Sequence, residues 1–212
     1  CVNAMAAVAL LFWLSAAQAG TQPIRILAFG ASIVAGYGLG AGDSLPVQLE
    51  QALRAHGVDA TVIDAGVSGD TSAGGLARLD WALADNPDLV IVDLGGNDAL
   101  RAIDPKTTEA NLDAIVARLR AQKRGVLIAG MLAPPNLGAD YAAAFNAVFP
   151  AVAARHDVTL YPFLLDGVVA DPALNQADGI HPNAAGVKVI VERMLPSVLQ
   201  AIQRLDRKAP GS

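Results

Sequence analysis

The segment Ile24-Arg25-Ile26-Leu27-Ala28-Phe29 runs directly into Gly30-Ala31-Ser32-Ile33, an apolar strand candidate closed by a turn of small residues. Its apolar positions are nearly continuous rather than alternating, the pattern of a strand covered by protein on both faces. Runs of the same kind recur at residues 60–64, 89–94, 126–131 and 159–161. Amphipathic stretches separate them, and helices are expected over residues 44–56, 74–84, 104–123, 141–156 and 183–203. Asp104-Pro105 reads as a helix start, with Asp as the cap and Pro in the first turn, and Gly125 marks the far end of that helix. Pro150 and Pro196 fall inside periodic stretches and are expected to kink or divide them. Strands and helices in strict alternation give an α/β fold, a three-layer α/β/α sandwich around a five-stranded parallel sheet. In such folds chemistry gathers at the carboxyl ends of the strands.

Composition narrows the possibilities. A length of 212 residues with 53% hydrophobic content fits one globular domain with a sizeable core. The net charge is −5 and no run of Lys or Arg occurs, which points away from nucleic acid and from anionic lipid as partners. An apolar run over residues 4–14 precedes Ala17-Gln18-Ala19, a small-x-small site, although no basic residue stands before the run. The pair reads as a signal peptide over residues 1–19, leaving a single domain over residues 20–212. The run is too short to span a bilayer comfortably, so export to the periplasm or medium is expected, without stable membrane insertion. Cleavage there removes Cys1, the only cysteine, so neither thiol catalysis nor a cysteine-based metal site is expected.

Polar, glycine-containing turns follow the strand candidates. The first holds Ser32; the second is Gly66-Val67-Ser68-Gly69-Asp70-Thr71; the third is Gly95-Gly96-Asn97-Asp98. A fourth, Asp178-Gly179-Ile180-His181-Pro182-Asn183, stands ahead of the last helix. Of the three histidines, His56 and His156 close amphipathic helices, where an imidazole is favoured by the helix dipole. His181 lies instead in a Gly/Pro turn three residues after Asp178. That spacing lets a carboxylate orient one ring nitrogen while the other faces a hydroxyl, as a general base requires. Ser32 follows a buried strand and leads into a glycine-rich segment, so its N–H is expected to be free. The Ser32 and Gly69 N–H groups and the Asn97 amide would supply three donors to a developing oxyanion.

Other chemistries fit less well. Neither G-x-G-x-x-G nor G-K-[ST] is present at these turns, and Val34 breaks the G-x-S-x-G elbow. His181 has no histidine close by in sequence for a metal site.

Taken together the four turns resemble the signature blocks of the SGNH (GDSL-like) hydrolases, with Ser32, Gly69, Asn97 and His181 in order and Asp178 beside the last. The likeness runs from about Ile24 to Ile202 and is greatest to exported bacterial arylesterases, acyl-CoA thioesterases and lysophospholipases. It implies a flavodoxin-like sheet, no cofactor and no metal, and hydrolysis of small-molecule esters or thioesters through an acyl-serine. Ser32, Asp178 and His181 are then the catalytic set, and Ser32, Gly69 and Asn97 the oxyanion hole. The family's first block reads Gly-Asp-Ser-Leu, whereas this chain has Gly30-Ala31-Ser32-Ile33. Loops over residues 131–141 and 163–176 are rich in Leu, Ala, Pro and Gly, which favours an apolar acyl or aryl group. A carbohydrate or acetyl-ester esterase of the same family is the alternative enzyme. A non-catalytic exported binding module is the alternative from another class.

Overall fold

A computed structural model of the chain describes residues 22–206. The expected signal peptide, its cleavage site and Cys1 lie outside the described residues. In chain order the elements are β1 (Ile24–Gly30), α1 (Leu45–Ala55), β2 (Ala60–Gly66), α2 (Ser72–Ala82), β3 (Leu89–Asp93) and α3 (Gly96–Leu100). They continue with α4 (Pro105–Ala121), β4 (Gly125–Ala129), α5 (Ala139–His156), β5 (Thr159–Tyr161) and α6 (Ala184–Asp206). Every strand pairing is parallel and the sheet order is β2-β1-β3-β4-β5. The expected α/β/α sandwich is therefore the fold.

The continuous apolar runs have a direct cause. Ile26 and Ala28 of β1 pack into the core beneath α1 and α6, while Leu27 and Phe29 enter the core beneath α2, α4 and α5. In β3, Leu89 and Ile91 take the first side and Val90 and Val92 the second. Each fully buried aliphatic side chain contributes roughly 1.5–3 kcal/mol of transfer free energy. A sheet covered on both faces therefore needs apolar residues at both parities.

One expectation is corrected and another narrowed. Strict alternation does not hold, because α3 inserts a helical turn directly after β3, and Asn97 sits on that turn. Gly95 makes it possible: its φ of 108° turns the chain sharply, and its carbonyl accepts the Ala99 N–H at 3.0 Å. Nor do Pro150 and Pro196 divide their helices; α5 and α6 run through them unbroken. Both prolines are exposed, while Phe149, Val152, Leu195 and Val198 beside them are buried. The lost hydrogen bond falls on the solvent side, where a helix bends most easily, and packing on the other side holds it. Other differences are shifts of element ends. Thr71, for example, caps α2 by accepting the Gly74 N–H at 3.3 Å, so that helix begins at Ser72.

Candidate active site

β1 and β2 stay in register to the row Gly30–Gly66, and the chain then departs into the first two turns. After Gly30 a helical turn forms, with Ala31 O accepting Ala35 N–H and Ser32 O accepting Tyr37 N–H, each at 3.0 Å. Ile33 and Val34 are drawn into the core, which leaves Ser32 at the edge of a cleft. In the second turn Val67 N–H donates to Gly30 O at 3.0 Å, tying the turn to the end of β1. Gly69 follows with φ +82°, a conformation costly for any residue bearing a Cβ. Among the described residues the Ser32 and Gly69 N–H groups donate to no other group. Asn97 donates one amide hydrogen to Asp70 O at 2.8 Å. Its second amide hydrogen is left over, and all three residues line the same cleft.

The fourth turn meets the first across the sheet edge. His181 Nε2 lies 2.9 Å from Ser32 Oγ, and Nδ1 lies 2.6 Å from Asp178 Oδ2. Asp178 Oδ1 accepts the N–H groups of Ile180 at 2.9 Å and His181 at 3.0 Å. The His181 N–H, the His181 ring and the Ile180 N–H together hold the Asp178 carboxyl well below its usual range, at about 2. An ionised carboxylate only accepts hydrogen bonds, so Nδ1 must donate to it. In a neutral ring Nε2 is then the acceptor, turned towards the Ser32 hydroxyl. The structure thus brings Ser32, Asp178, His181, Gly69 and Asn97 to one place.

His56 and His156 stay apart from it. His56 closes α1 with its Nδ1 2.8 Å from Ala52 O. His156 ends α5 with its Nε2 2.8 Å from Asp113 of α4, a partner that its helix-end position did not disclose.

Several polar residues that matter to the site were missed in the sequence. Asp98, buried beside Asn97, accepts the Ser72 N–H at 2.8 Å, the Ser72 hydroxyl, and the Thr108 hydroxyl at 3.1 Å, fixing α3 against α2 and α4. Gln176 donates through Nε2 to Tyr37 O at 2.8 Å and Pro182 O at 2.9 Å, joining the first turn to the fourth. The Tyr37 ring lies 4.7 Å from that of His181. Asp93, at the end of β3, is 4% exposed and lines the cleft, and burial pushes its carboxyl up to about 7. Asp98 and Asp93 stand next to recognisable positions, but nothing local tells a buried carboxyl from an exposed one.

The cleft has a volume of about 610 Å³. Leu132 and Pro134 from one expected loop and Phe163, Leu165 and Val169 from the other line it, together with Leu100. A concave, mainly apolar lining of this kind is the general character of small-molecule sites.

A parallel α/β/α sandwich with a serine, a histidine and a carboxylate in line at its carboxyl edge has the layout of a serine hydrolase. The sequence profile of the GDSL-like Lipase/Acylhydrolase family matches residues 28–189, and the chain belongs to that family. Over 182 residues it is 41% identical to Esterase TesA of Pseudomonas aeruginosa, covering 85% of this chain and 90% of that protein. Arylesterase of Vibrio mimicus is 38% identical over 184 residues, 86% of this chain and 91% of the other. Thioesterase 1/protease 1/lysophospholipase L1 of Escherichia coli is 38% identical over 170 residues, 80% of each chain. Among solved structures, TesA superposes with a TM-score of 0.80 at 41% identity, covering 84% of this chain and 99% of that one. AlinE4, an SGNH-hydrolase family esterase, gives 0.73 at 46% identity, covering 86% and 98%.

Proposed function

We propose that this protein cleaves carboxylic esters, and thioesters of similar shape, through an acyl intermediate on Ser32. Its family and the esterases, arylesterase and thioesterase it is similar to make it a serine hydrolase acting on ester bonds. The observation that carries the assignment of roles is the unbroken line from Asp178 through His181 to Ser32 Oγ, at 2.6 Å and 2.9 Å.

A serine hydroxyl is a weak nucleophile until a base takes its proton. His181 Nε2 accepts the Ser32 proton as Oγ forms its bond to the ester carbonyl carbon. Ser32 N–H, Gly69 N–H and the free amide hydrogen of Asn97 donate to the oxyanion of the tetrahedral intermediate. The bond to the leaving alkoxide or thiolate then breaks, and His181 passes its proton to that group. Water enters, gives a proton to His181 and attacks the acyl carbon; the acid leaves as Ser32 regains its proton. Asp178 stays ionised and offsets the imidazolium charge. No metal or cofactor is needed at any step.

The apolar lining of the cleft supports an acyl or aryl group rather than a sugar. Trp81 is 76% exposed but lies on α2 away from the cleft, so it provides no stacking surface for a carbohydrate there. Among the described residues no helix is long and apolar enough to cross a membrane. Export through a signal peptide over residues 1–19 rests on the run at residues 4–14 and the site Ala17-Gln18-Ala19.

The test is colour release from p-nitrophenyl esters of increasing acyl length, followed by inactivation with an organophosphate and peptide mass spectrometry. Turnover with the label on Ser32 is expected. A label on Ser68 or Ser72 would displace Ser32 as nucleophile, and no turnover of any ester would favour the binding-module reading.

A further inference from the structure

Arg78 stands on α2, behind the site rather than in the cleft, and its guanidinium reaches separate parts of the strand-end network. Nε donates to Asp70 Oδ2 at 2.6 Å, Nη1 to Ala65 O at 3.0 Å, and Nη2 to Gly30 O at 2.9 Å. Gly30 is the last residue of β1, two before Ser32; Ala65 is in β2, just before the second turn; Asp70 follows Gly69. Asp70 in turn accepts the Asn97 amide on its main-chain oxygen at 2.8 Å. A single planar group is thus linked by short paths to the Ser32 turn, the Gly69 turn and the Asn97 side chain.

The support is needed where it occurs. The β1–β2 ladder ends at Gly30–Gly66, so beyond that row the turns are no longer held by strand pairing. The guanidinium is itself immobilised. Its Cζ lies 4.3 Å from the centre of the Phe29 ring, and the Arg78 and Asp70 side chains are only 16% and 11% exposed. A charged donor buried to this extent makes stronger hydrogen bonds than a neutral one, and a planar fork fixes direction as well as distance.

We propose that Arg78 is the positioning residue of the oxyanion site, setting the mutual spacing of the Ser32, Gly69 and Asn97 donors. It touches neither substrate nor reacting atoms. Its effect falls on the transition state because those donors meet full charge only there. This inference rests on the esterase reading above, and the parent enzyme's ester turnover is measured first so that a failure of that reading is seen separately.

The experiment compares Arg78→Ala, Arg78→Lys and Asp70→Asn with the parent for kcat, KM, Tm and affinity for a trifluoromethyl ketone, which forms an oxyanion on Ser32. Arg78→Ala is expected to lose about 10–10²-fold in kcat while KM stays close to the parent's. Ketone affinity should weaken by the same factor as kcat/KM, an effect that a merely structural role would not produce. Free guanidinium at sub-denaturing concentration should restore part of the kcat of Arg78→Ala and none of that of Ser32→Ala. Arg78→Lys, which keeps the charge but not the fork, should recover little. Parent-like kcat in folded Arg78→Ala, or ketone affinity lost no more than substrate affinity, overturns the proposal. Should Arg78→Ala fail to fold, Asp70→Asn decides: the same pattern at smaller amplitude supports the proposal, and parent-like values for both kcat and ketone affinity refute it.

Discussion

The carboxylate of Asp178 engages His181 twice, accepting its main-chain N–H on Oδ1 at 3.0 Å and its ring Nδ1–H on Oδ2 at 2.6 Å. One side chain therefore fixes both the place of the histidine and the direction of its ring. These bonds hold the Asp178 carboxyl at about 2 instead of the ordinary 3.8. A depressed acid favours the folded state above its unfolded value, and that contribution fades as pH falls from about 4 towards 2. Asp178 consequently remains ionised throughout the range in which a histidine base works. Asp178→Asn should cut kcat by about 10³–10⁴-fold, because an amide no longer selects the tautomer with Nδ1–H. Its Tm at pH 7 should fall only slightly, because the Asp178 carboxylate is solvent-exposed and screening reduces the stability its bonds contribute. A kcat within tenfold of the parent's would remove Asp178 from the catalytic set.

Asn97→Ala tests the oxyanion site directly. One amide hydrogen goes to Asp70 O and the other has no partner among the described residues, so alanine would delete the proposed transition-state donor together with one structural bond. The loss should fall on kcat, by about 10²–10³-fold, with KM nearly constant. A folded variant with normal kcat would make Asn97 a purely structural residue.

Asp93 offers a stability experiment with a definite sign. Its carboxyl is pushed up from 3.8 to about 7 by burial. Below about pH 4 both folded and unfolded chains hold the proton and pH has no effect through this group. Between about 4 and 7 the unfolded chain releases its proton while the folded one keeps it, so stability falls as pH rises, then levels off. The whole effect is on the order of 4 kcal/mol at most. Asp93→Asn should therefore raise Tm by a few degrees at pH 8, with a gain that shrinks towards pH 4. A Tm difference that does not change with pH would show that Asp93 ionises freely in the fold.

Ala31 marks the departure from the family's first block. It lines the cleft beside Ser32 and is partly exposed, so a carboxylate there could find a donor in the turn. Ala31→Asp should raise kcat or stability modestly, on the scale of one hydrogen bond, about 0.5–1.5 kcal/mol. It should not rescue Asp178→Asn, because the ring nitrogen facing Ser32 is Nε2 and the one needing a carboxylate is Nδ1. Rescue would mean that the acid of the triad had been misassigned; a sharp drop in Tm would mean that the new carboxylate lies without partners.

Much of this molecule was legible because the informative relations are local. The strands at residues 24–29 and 89–94 announced themselves as apolar runs, and β1 and β3 fall there with ends shifted by one residue. The Asp178–His181 pair spans three positions, which a turn brings together whatever the rest of the chain does. Local pattern left open whether Pro150 and Pro196 kink or divide their helices, and packing on the opposite face, which no local rule records, carries both helices through them undivided. It also left Gly95-Gly96-Asn97-Asp98 as a plain turn, since a five-residue helix carries no periodicity to read.

By itself, then, the sequence determined a parallel α/β/α sandwich, the strand-end turns that carry polar groups, and Ser32, Gly69, Asn97, Asp178 and His181 as the residues to examine. Only the tertiary structure decided what those residues face. Ser32 and His181 are 149 positions apart, and their 2.9 Å contact exists because the sheet brings the first and last turns to one edge. The same holds for Arg78, 48 positions from Gly30, and for Gln176, 139 from Tyr37. Side chains of this kind look like ordinary surface residues in a sequence. They acquire partners when burial removes water and the nearest acceptor is a carbonyl from a distant part of the chain. Burial, too, sets the ionisation of Asp93, and no spacing of residues records it.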